Sequence, residues 1–113
     1  MTGSEVWLVN FDPTIGDEIR RTRPAVVVSD DSVGILDLAV VVPITNWDDN
    51  FVDSPWIVRF APTSTNGLVK ISAADAFQVK SLSTLRFIKR LGRLSEKEMS
   101  EVCEALSVVL GTF

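Results

Sequence analysis

Short apolar runs alternate with polar, turn-forming stretches along most of the chain, and the hydrophobic spacing changes period once, near the end. Glu5-Val6-Trp7-Leu8-Val9-Asn10-Phe11 is rich in β-branched and aromatic residues and stops at Asp12-Pro13, so it predicts a strand closed by a turn. Residues 12–23 are polar, carry Pro13 and Gly16, and read as a long loop. Pro24-Ala25-Val26-Val27-Val28-Ser29 is apolar without alternation, the pattern of a strand buried on both faces. A turn is expected at 30–34 and a second apolar strand over 35–44, where Pro43, lacking an N–H, suggests that pairing stops. Residues 45–55 form an acidic loop, 56–60 a short strand, and 61–67 a run of turn residues ending in Asn-Gly. Residues 68–71 and 76–79 are strand-like, and Phe87-Ile88 belongs to a last short strand inside a basic segment.

Beyond residue 94 the period becomes helical. Ser95-Glu96-Lys97-Glu98 is a capping box, in which the serine hydroxyl accepts from a first-turn N–H and the glutamate reaches back. Met99, Val102, Cys103, Leu106, Val109 and Leu110 then follow i, i+3, i+4, i+7 spacing, one apolar face of a helix that Gly111 ends. Short strands with Gly/Pro turns and one C-terminal amphipathic helix predict a mainly β small barrel or curled sheet with a C-terminal α-helix. The helix must bury its stripe on that sheet or on a second copy of the chain.

Composition narrows the chemistry. The chain has 113 residues, 46% of them hydrophobic and 23% charged, which fits a single domain over 1–113 with one core. Histidine is absent, which removes imidazole acid–base catalysis and His-containing metal sites. The one cysteine, Cys103, allows neither an intrachain disulfide nor a multi-cysteine metal site, and on the helix stripe it reads as a small buried hydrophobe. No metal and no cofactor is therefore expected. The N-terminal residues do not read as a signal peptide, and no apolar run approaches the ~20 residues of a membrane helix. A soluble, reducing, cytoplasmic setting is the expectation, with no membrane partner.

Net charge is −4, which argues against a broad nucleic-acid binder, but the distribution is uneven. Asp30, Asp31, Asp37, Asp48, Asp49 and Asp53 stand without basic neighbours, and Lys80, Arg86, Lys89, Arg90 and Arg93 without acidic ones. Such runs are commonly solvated surface; a polyanion binds locally where the basic segments meet. The densest polar cluster is Gly16-Asp17-Glu18-Ile19-Arg20-Arg21-Thr22-Arg23-Pro24. Pro24 biases Arg23 toward extended backbone at the mouth of a strand, where its planar fork of donors suits a phosphate. A salt bridge to Asp17 or Glu18 that merely orders the loop is the equal alternative. Thr45 leaves an apolar strand in Val42-Pro43-Ile44-Thr45, placed either to hydrogen-bond a phosphoryl oxygen or to cap a turn. Trp47 and Phe51 are candidates for base stacking or for anchoring their own loop, and Trp7 is expected in the core.

These residues carry a family likeness. Residues 5–18, then Arg23-Pro24-Ala25-Val26-Val27-Val28-Ser29, Val42-Pro43-Ile44-Thr45, Gln78-Val79-Lys80-Ser81-Leu82 and the closing helix resemble the MazF/PemK toxins in order and spacing, over essentially the whole chain. The resemblance implies an SH3-like barrel with a C-terminal helix, a homodimer, a cognate antitoxin protein, and a sequence-specific endoribonuclease that cleaves single-stranded RNA. It places the catalytic roles on Arg23 and Thr45; because an arginine stays protonated, a carboxylate such as Glu18 is the candidate general base. Candidate substrate contacts fall on Asp17, Arg20, Arg21, Asp75, Gln78 and Lys80. RNA supplies its own 2′-hydroxyl nucleophile, so an arginine and an alcohol suffice to stabilise the transition state without a metal. Two positions depart from the family pattern. Asp17 stands where a hydroxyl is common, and Phe77 where an acidic residue is common. Asp75, on the same face if 75–77 form a strand, is a partial replacement. A CcdB-like, gyrase-poisoning toxin and an inactive RNA- or protein-binding barrel are the competing functions for the same scaffold.

Overall fold

The computed structural model describes residues 3–30 and 36–112; the expected turn at 31–34 and the start of the strand at residue 35 lie outside them. Seven strands occur among the described residues: β1 (Glu5–Asn10), β2 (Thr22–Val27), β3 (Leu38–Asn46), β4 (Ile57–Phe60), β5 (Ser72–Asp75), β6 (Lys80–Ser83) and β7 (Phe87–Arg93). They are followed by α1 (Glu96–Leu110). The strands form one curled antiparallel sheet in the order β4-β5-β3-β2-β1-β7, with β6 also on β3. This is the expected small β barrel with a C-terminal helix.

β3 is the hinge of the topology. Its first half pairs with β6 through Val41↔Lys80, and its last residues pair with β5 from Ile44↔Ala74 onward. On its other edge β2 is continuous, with Ala25↔Pro43, Val26↔Val42 and Val27↔Val41. Pro43 therefore does not stop the strand as expected. Lacking an N–H, it sits in the gap where β3 changes partners, the place where a missing donor costs least.

β2 is buried on both faces, as its unbroken apolar run predicts. Val6, Val26, Val42, Ile44, Val58 and Phe60 pack under the helix, while Val9, Phe11, Ala25, Val27, Val41 and Leu82 pack on the opposite side. Ser95 and Glu98 form the predicted capping box, with Glu98 N–H donating to Ser95 Oγ (3.1 Å) and Ser95 N–H to Glu98 Oε1 (2.9 Å). Gly111 ends the helix at φ 69°.

The buried helix face is narrower than the stripe suggested. Val102 and Ala105 are buried, with Met99, Leu106 and Val109 packed beside them, while Cys103 and Leu110 are exposed. At roughly 100° per residue, Cys103 and Leu110 lie a quarter-turn from Val102, and Ala105 is small enough to bring the helix close on the other side.

Residues 68–79 depart further from expectation. The segment 68–71 is not a strand: Val69 is exposed, Leu68 N–H donates to Asn66 Oδ1 (3.0 Å), and Ser72 Oγ folds back onto the Lys70 carbonyl (2.8 Å). Residues 76–78 form a 3-10 turn because the Asp75 carboxylate accepts from Phe77 N–H (3.1 Å), and local side-chain capping outcompetes a strand ladder here. Asp75 and Phe77 accordingly do not share a strand face. The basic segment, for which spacing predicts only a short strand at Phe87-Ile88, forms β6 and the longer β7. There Arg90 and Arg93 pair with the buried Glu5, which also accepts from Trp7 Nε1, and half-buried Trp7 meets Phe87 edge-to-face.

Asn66 is completely buried and fully satisfied. Its Oδ1 accepts from Thr63 and Leu68 N–H, and its Nδ2 donates to the Ala61 carbonyl and to Glu98. This presses the loop before β5 against β7, where Gly67 (φ 73°) and Gly92 face each other. A Cβ on Gly92 would lie 2.3 Å from the Thr65 carbonyl oxygen, a backbone atom that itself accepts from Arg93 N–H. Gly92→Ala is expected to destabilise the protein by about 2 kcal/mol or more, since backbone must move to admit the methyl. Chemical denaturation that finds the variant within about 0.5 kcal/mol of the parent would refute the close approach.

Candidate active site

The site grows from the loop between β1 and β2. Phe11 N–H donates to the Arg21 carbonyl (2.9 Å) and closes the loop at its base. Arg21 sits at φ 69°, a left-handed conformation uncommon outside glycine, and its N–H is met by Asp12 Oδ1 (3.0 Å). Arg86, from the connection between β6 and β7, donates to the Asn10 and Asp12 carbonyls. Inside the loop Gly16 turns at φ 61°, Glu18 Oε1 accepts from Ile15 N–H (2.9 Å), and Arg20 Nη2 donates to the Gly16 carbonyl (3.0 Å).

Gln78 and Lys80 hold the tip. Gln78 Oε1 accepts from Ile19 N–H (2.8 Å) and its Nε2 donates to the Asp17 carbonyl (3.2 Å). Lys80 Nζ lies 3.1 Å from Glu18 Oε2.

Arg23 meets Thr45 across the two central strands. Two residues beyond Ala25↔Pro43, the antiparallel register brings position 23 opposite position 45. Arg23 Nη1 donates to Thr45 Oγ1 (3.2 Å) and its Nε to the Arg20 carbonyl (3.0 Å). The arginine is thus not bridged to Asp17 or Glu18. Its Nη2 has no protein partner among the described residues, and both side chains are half-buried at the rim. The Thr45 oxygen accepts the hydrogen bond from the guanidinium, which leaves its own hydroxyl hydrogen free to donate to an outside acceptor.

Three adjoining depressions run past this pair. One, about 370 Å³, is lined by Arg23, Thr45, Asn46, Lys70 and Ser72 over an apolar floor. The next, about 460 Å³, shares Arg23 and Thr45 and adds loop residues Gly16 to Arg21. The third, about 390 Å³, shares Asp17 and Glu18 and adds Phe77, Gln78 and Lys80. Of the expected site residues, Arg23, Thr45, Glu18, Asp17, Arg20, Arg21, Gln78 and Lys80 therefore come together. Asp75 does not line the track; half-burial pushes its carboxyl above the usual range, against the pull of Phe77 N–H. Exposed Phe77 rests edge-on against Trp56 (6.4 Å). Trp47 is tied to its own loop by Asp49 and Phe51, with Arg59 over its ring. Lys70 and Ser72 stand beside the pair and Arg86 supports the loop, placements that nothing in local spacing ties to residues 12–23.

A family model described as PemK-like, MazF-like toxin of type II toxin–antitoxin system matches residues 3–110. The chain belongs to this family. Among relatives of this PemK/MazF member, endoribonuclease MazF9 of Mycobacterium tuberculosis is 35% identical, covering 97% of this chain and 96% of its own. Endoribonuclease PemK of Escherichia coli is 33% identical over 97% of this chain and 82% of its own. In fold, the chain resembles a mycobacterial endoribonuclease solved in complex with its cognate antitoxin, at a TM-score of 0.79 and 18% identity, covering 100% of this chain and 97% of that one. Among the described residues no helix is long and apolar enough to cross a membrane.

Glu18 lines the depression beside Arg23 and Thr45. The Ile15 N–H first, then the Lys80 ammonium, hold its carboxyl below the ordinary glutamate value of 4.5. Lys80→Ala is expected to move the Glu18 midpoint upward while leaving it below 4.5, because the largest single contribution, the Ile15 N–H, survives and outweighs the small desolvation. Carboxyl-detected NMR titration of both proteins checks this; an unmoved midpoint would show that Lys80 does not reach Glu18 in solution.

Proposed function

We propose that this chain is a toxin endoribonuclease that cleaves single-stranded RNA, mRNA in the cell, by attack of the ribose 2′-hydroxyl on its own phosphodiester. The observation that carries this reading is the Arg23–Thr45 pair, with a guanidinium anchored through Nε and Nη1 and an Nη2 without a partner among the described residues, at the rim of an open track. The chemistry asks for little more. Attack forms a P–O2′ bond and breaks the P–O5′ bond, giving 2′,3′-cyclic phosphate and 5′-hydroxyl ends. Charge accumulates on the non-bridging oxygens, where Arg23 Nη2 and the Thr45 hydroxyl donate. Arginine stays protonated and acts as a charge, not a base. Glu18, ionised at neutral pH and lining the same depression, takes the 2′-hydroxyl proton, and a solvent water delivers the proton that the departing O5′ needs.

The relatives' names support the nuclease activity, and the family description supports neutralisation by an antitoxin. Arg20, Arg21 and Lys80 supply cations along the RNA path, while Asp17 and Phe77 line its far end and tune which sequence is cut. The reading includes a homodimer acting in the cytoplasm, growth inhibition when antitoxin is lost, and no requirement for a metal.

Purified protein incubated with a long single-stranded RNA in EDTA is expected to cut it at a defined sequence and leave cyclic phosphate ends. Arg23→Ala should lower kcat by about 10³ or more and Thr45→Ala by about 10². Arg23→Lys should fail to rescue, since an ammonium does not reproduce the planar, two-sided anchoring. Intact RNA under these conditions, or full activity of Arg23→Ala, would overturn the proposal.

A further inference from the structure

We infer that Gln78 is a positioning residue for Arg23, acting through the backbone of the β1–β2 loop; this rests on the nuclease reading above only for its kinetic consequence. The sequence placed Gln78 among substrate contacts. In the structure its amide is already spent on protein backbone, with Oε1 on Ile19 N–H at 2.8 Å and Nε2 on the Asp17 carbonyl at 3.2 Å. Only one orientation of the amide serves both groups. Rotating it by a half-turn sets NH2 against N–H and oxygen against oxygen.

The contact spans 59 and 61 positions of sequence and is made from the end of the 3-10 turn that Asp75 caps, a segment locked to the sheet on both sides. It clamps the Asp17–Glu18 and Glu18–Ile19 peptide units, one peptide short of Arg20. The Arg20 carbonyl is the acceptor for Arg23 Nε, and Nη1 of the same planar group reaches Thr45 Oγ1. A guanidinium is rigid, so fixing Nε fixes where Nη1 and Nη2 point. The relay is therefore Gln78 amide, loop backbone 17–20, Arg23 plane, Thr45 hydroxyl. Glu18, between the two clamped peptides, has a second tie in Lys80, which holds the side chain rather than the backbone.

Two variants separate positioning from RNA reading. Gln78→Leu keeps the shape and removes both hydrogen bonds. Gln78→Glu keeps the acceptor for Ile19 N–H and loses the donor to Asp17. In the parent, Ile19 N–H and Arg23 Nε–H are expected to exchange slowly with solvent by ¹⁵N NMR. Gln78→Leu should expose both, and Gln78→Glu should leave Ile19 N–H protected. Kinetically, Gln78→Leu should lower kcat by about 10- to 100-fold, the scale of a misplacement near 1 Å. KM and the cleavage sequence should stay within experimental error of the parent, and Gln78→Glu should recover part of the loss. Unchanged Arg23 Nε–H exchange in Gln78→Leu would overturn the inference. So would intact kcat with an altered KM or altered cut site, which would make Gln78 a reader of RNA. If the parent cuts no RNA, the exchange measurements still decide the relay while the nuclease proposal fails separately.

Discussion

Antiparallel pairing of β2 with β3 sets the one distance on which the site depends. Arg23 and Thr45 are 22 positions apart in sequence, yet the ladder that buries Ala25, Val26 and Val27 against Val41, Val42 and Pro43 leaves them facing each other where the apolar run ends. A one-residue slip of β2 would turn Arg23 toward the helix-side core while Thr45 stayed on the opposite face. The hydrophobic register and the polar pair are therefore the same constraint seen from two ends. Burial on both faces of β2 makes that register expensive to alter, and the arginine inherits the rigidity of the strand it terminates.

The loop before β2 complements this rigidity. It is largely exposed and polar, with Ile19 its one apolar side chain packed on the core. Its shape comes from hydrogen bonds to backbone: Asp12 and Arg86 at the base, Gly16 and Glu18 at the turn, Gln78 at the tip. Exposed charge pairs such as Lys80–Glu18 are individually weak, so the ordering rests on several directed bonds to peptide groups. The same arrangement reconciles a net charge of −4 with a polyanion site. The acidic residues over 37–53 lie on other segments, and within the loop Glu18 is held by Lys80 while the Arg21 guanidinium and Arg23 Nη2 have no partner among the described residues.

The basic segment after residue 80 illustrates how position redistributes charge. As a string it is one cationic run. Folded, only Lys80 joins the β1–β2 loop tip; Arg86 supports the loop from behind, and Arg90 and Arg93 turn to the buried Glu5. Phe77 and Asp75 separate in the same manner, because a single aspartate cap turns the chain between them.

Local chemistry was enough for much of the architecture. The β1 and β2 runs, the capping box at Ser95 and Glu98, the stop at Gly111 and the mainly β class with a terminal helix follow from spacing and side-chain type alone. The importance of Arg23 and Thr45 was legible through Arg-Pro and Pro-x-Thr in a family-like order, although position alone left a loop salt bridge equally open for the arginine. What spacing did not contain was any relation between residues far apart. The partner change of β3 at Pro43, the buried Asn66 that seats a loop on β7, the exposure of Cys103, and the grip of Gln78 on Asp17 and Ile19 were decided by tertiary structure. Period and propensity report what one segment prefers to bury; which donor meets which acceptor across 59 residues is set only when the sheet curls and brings their backbones within hydrogen-bond reach.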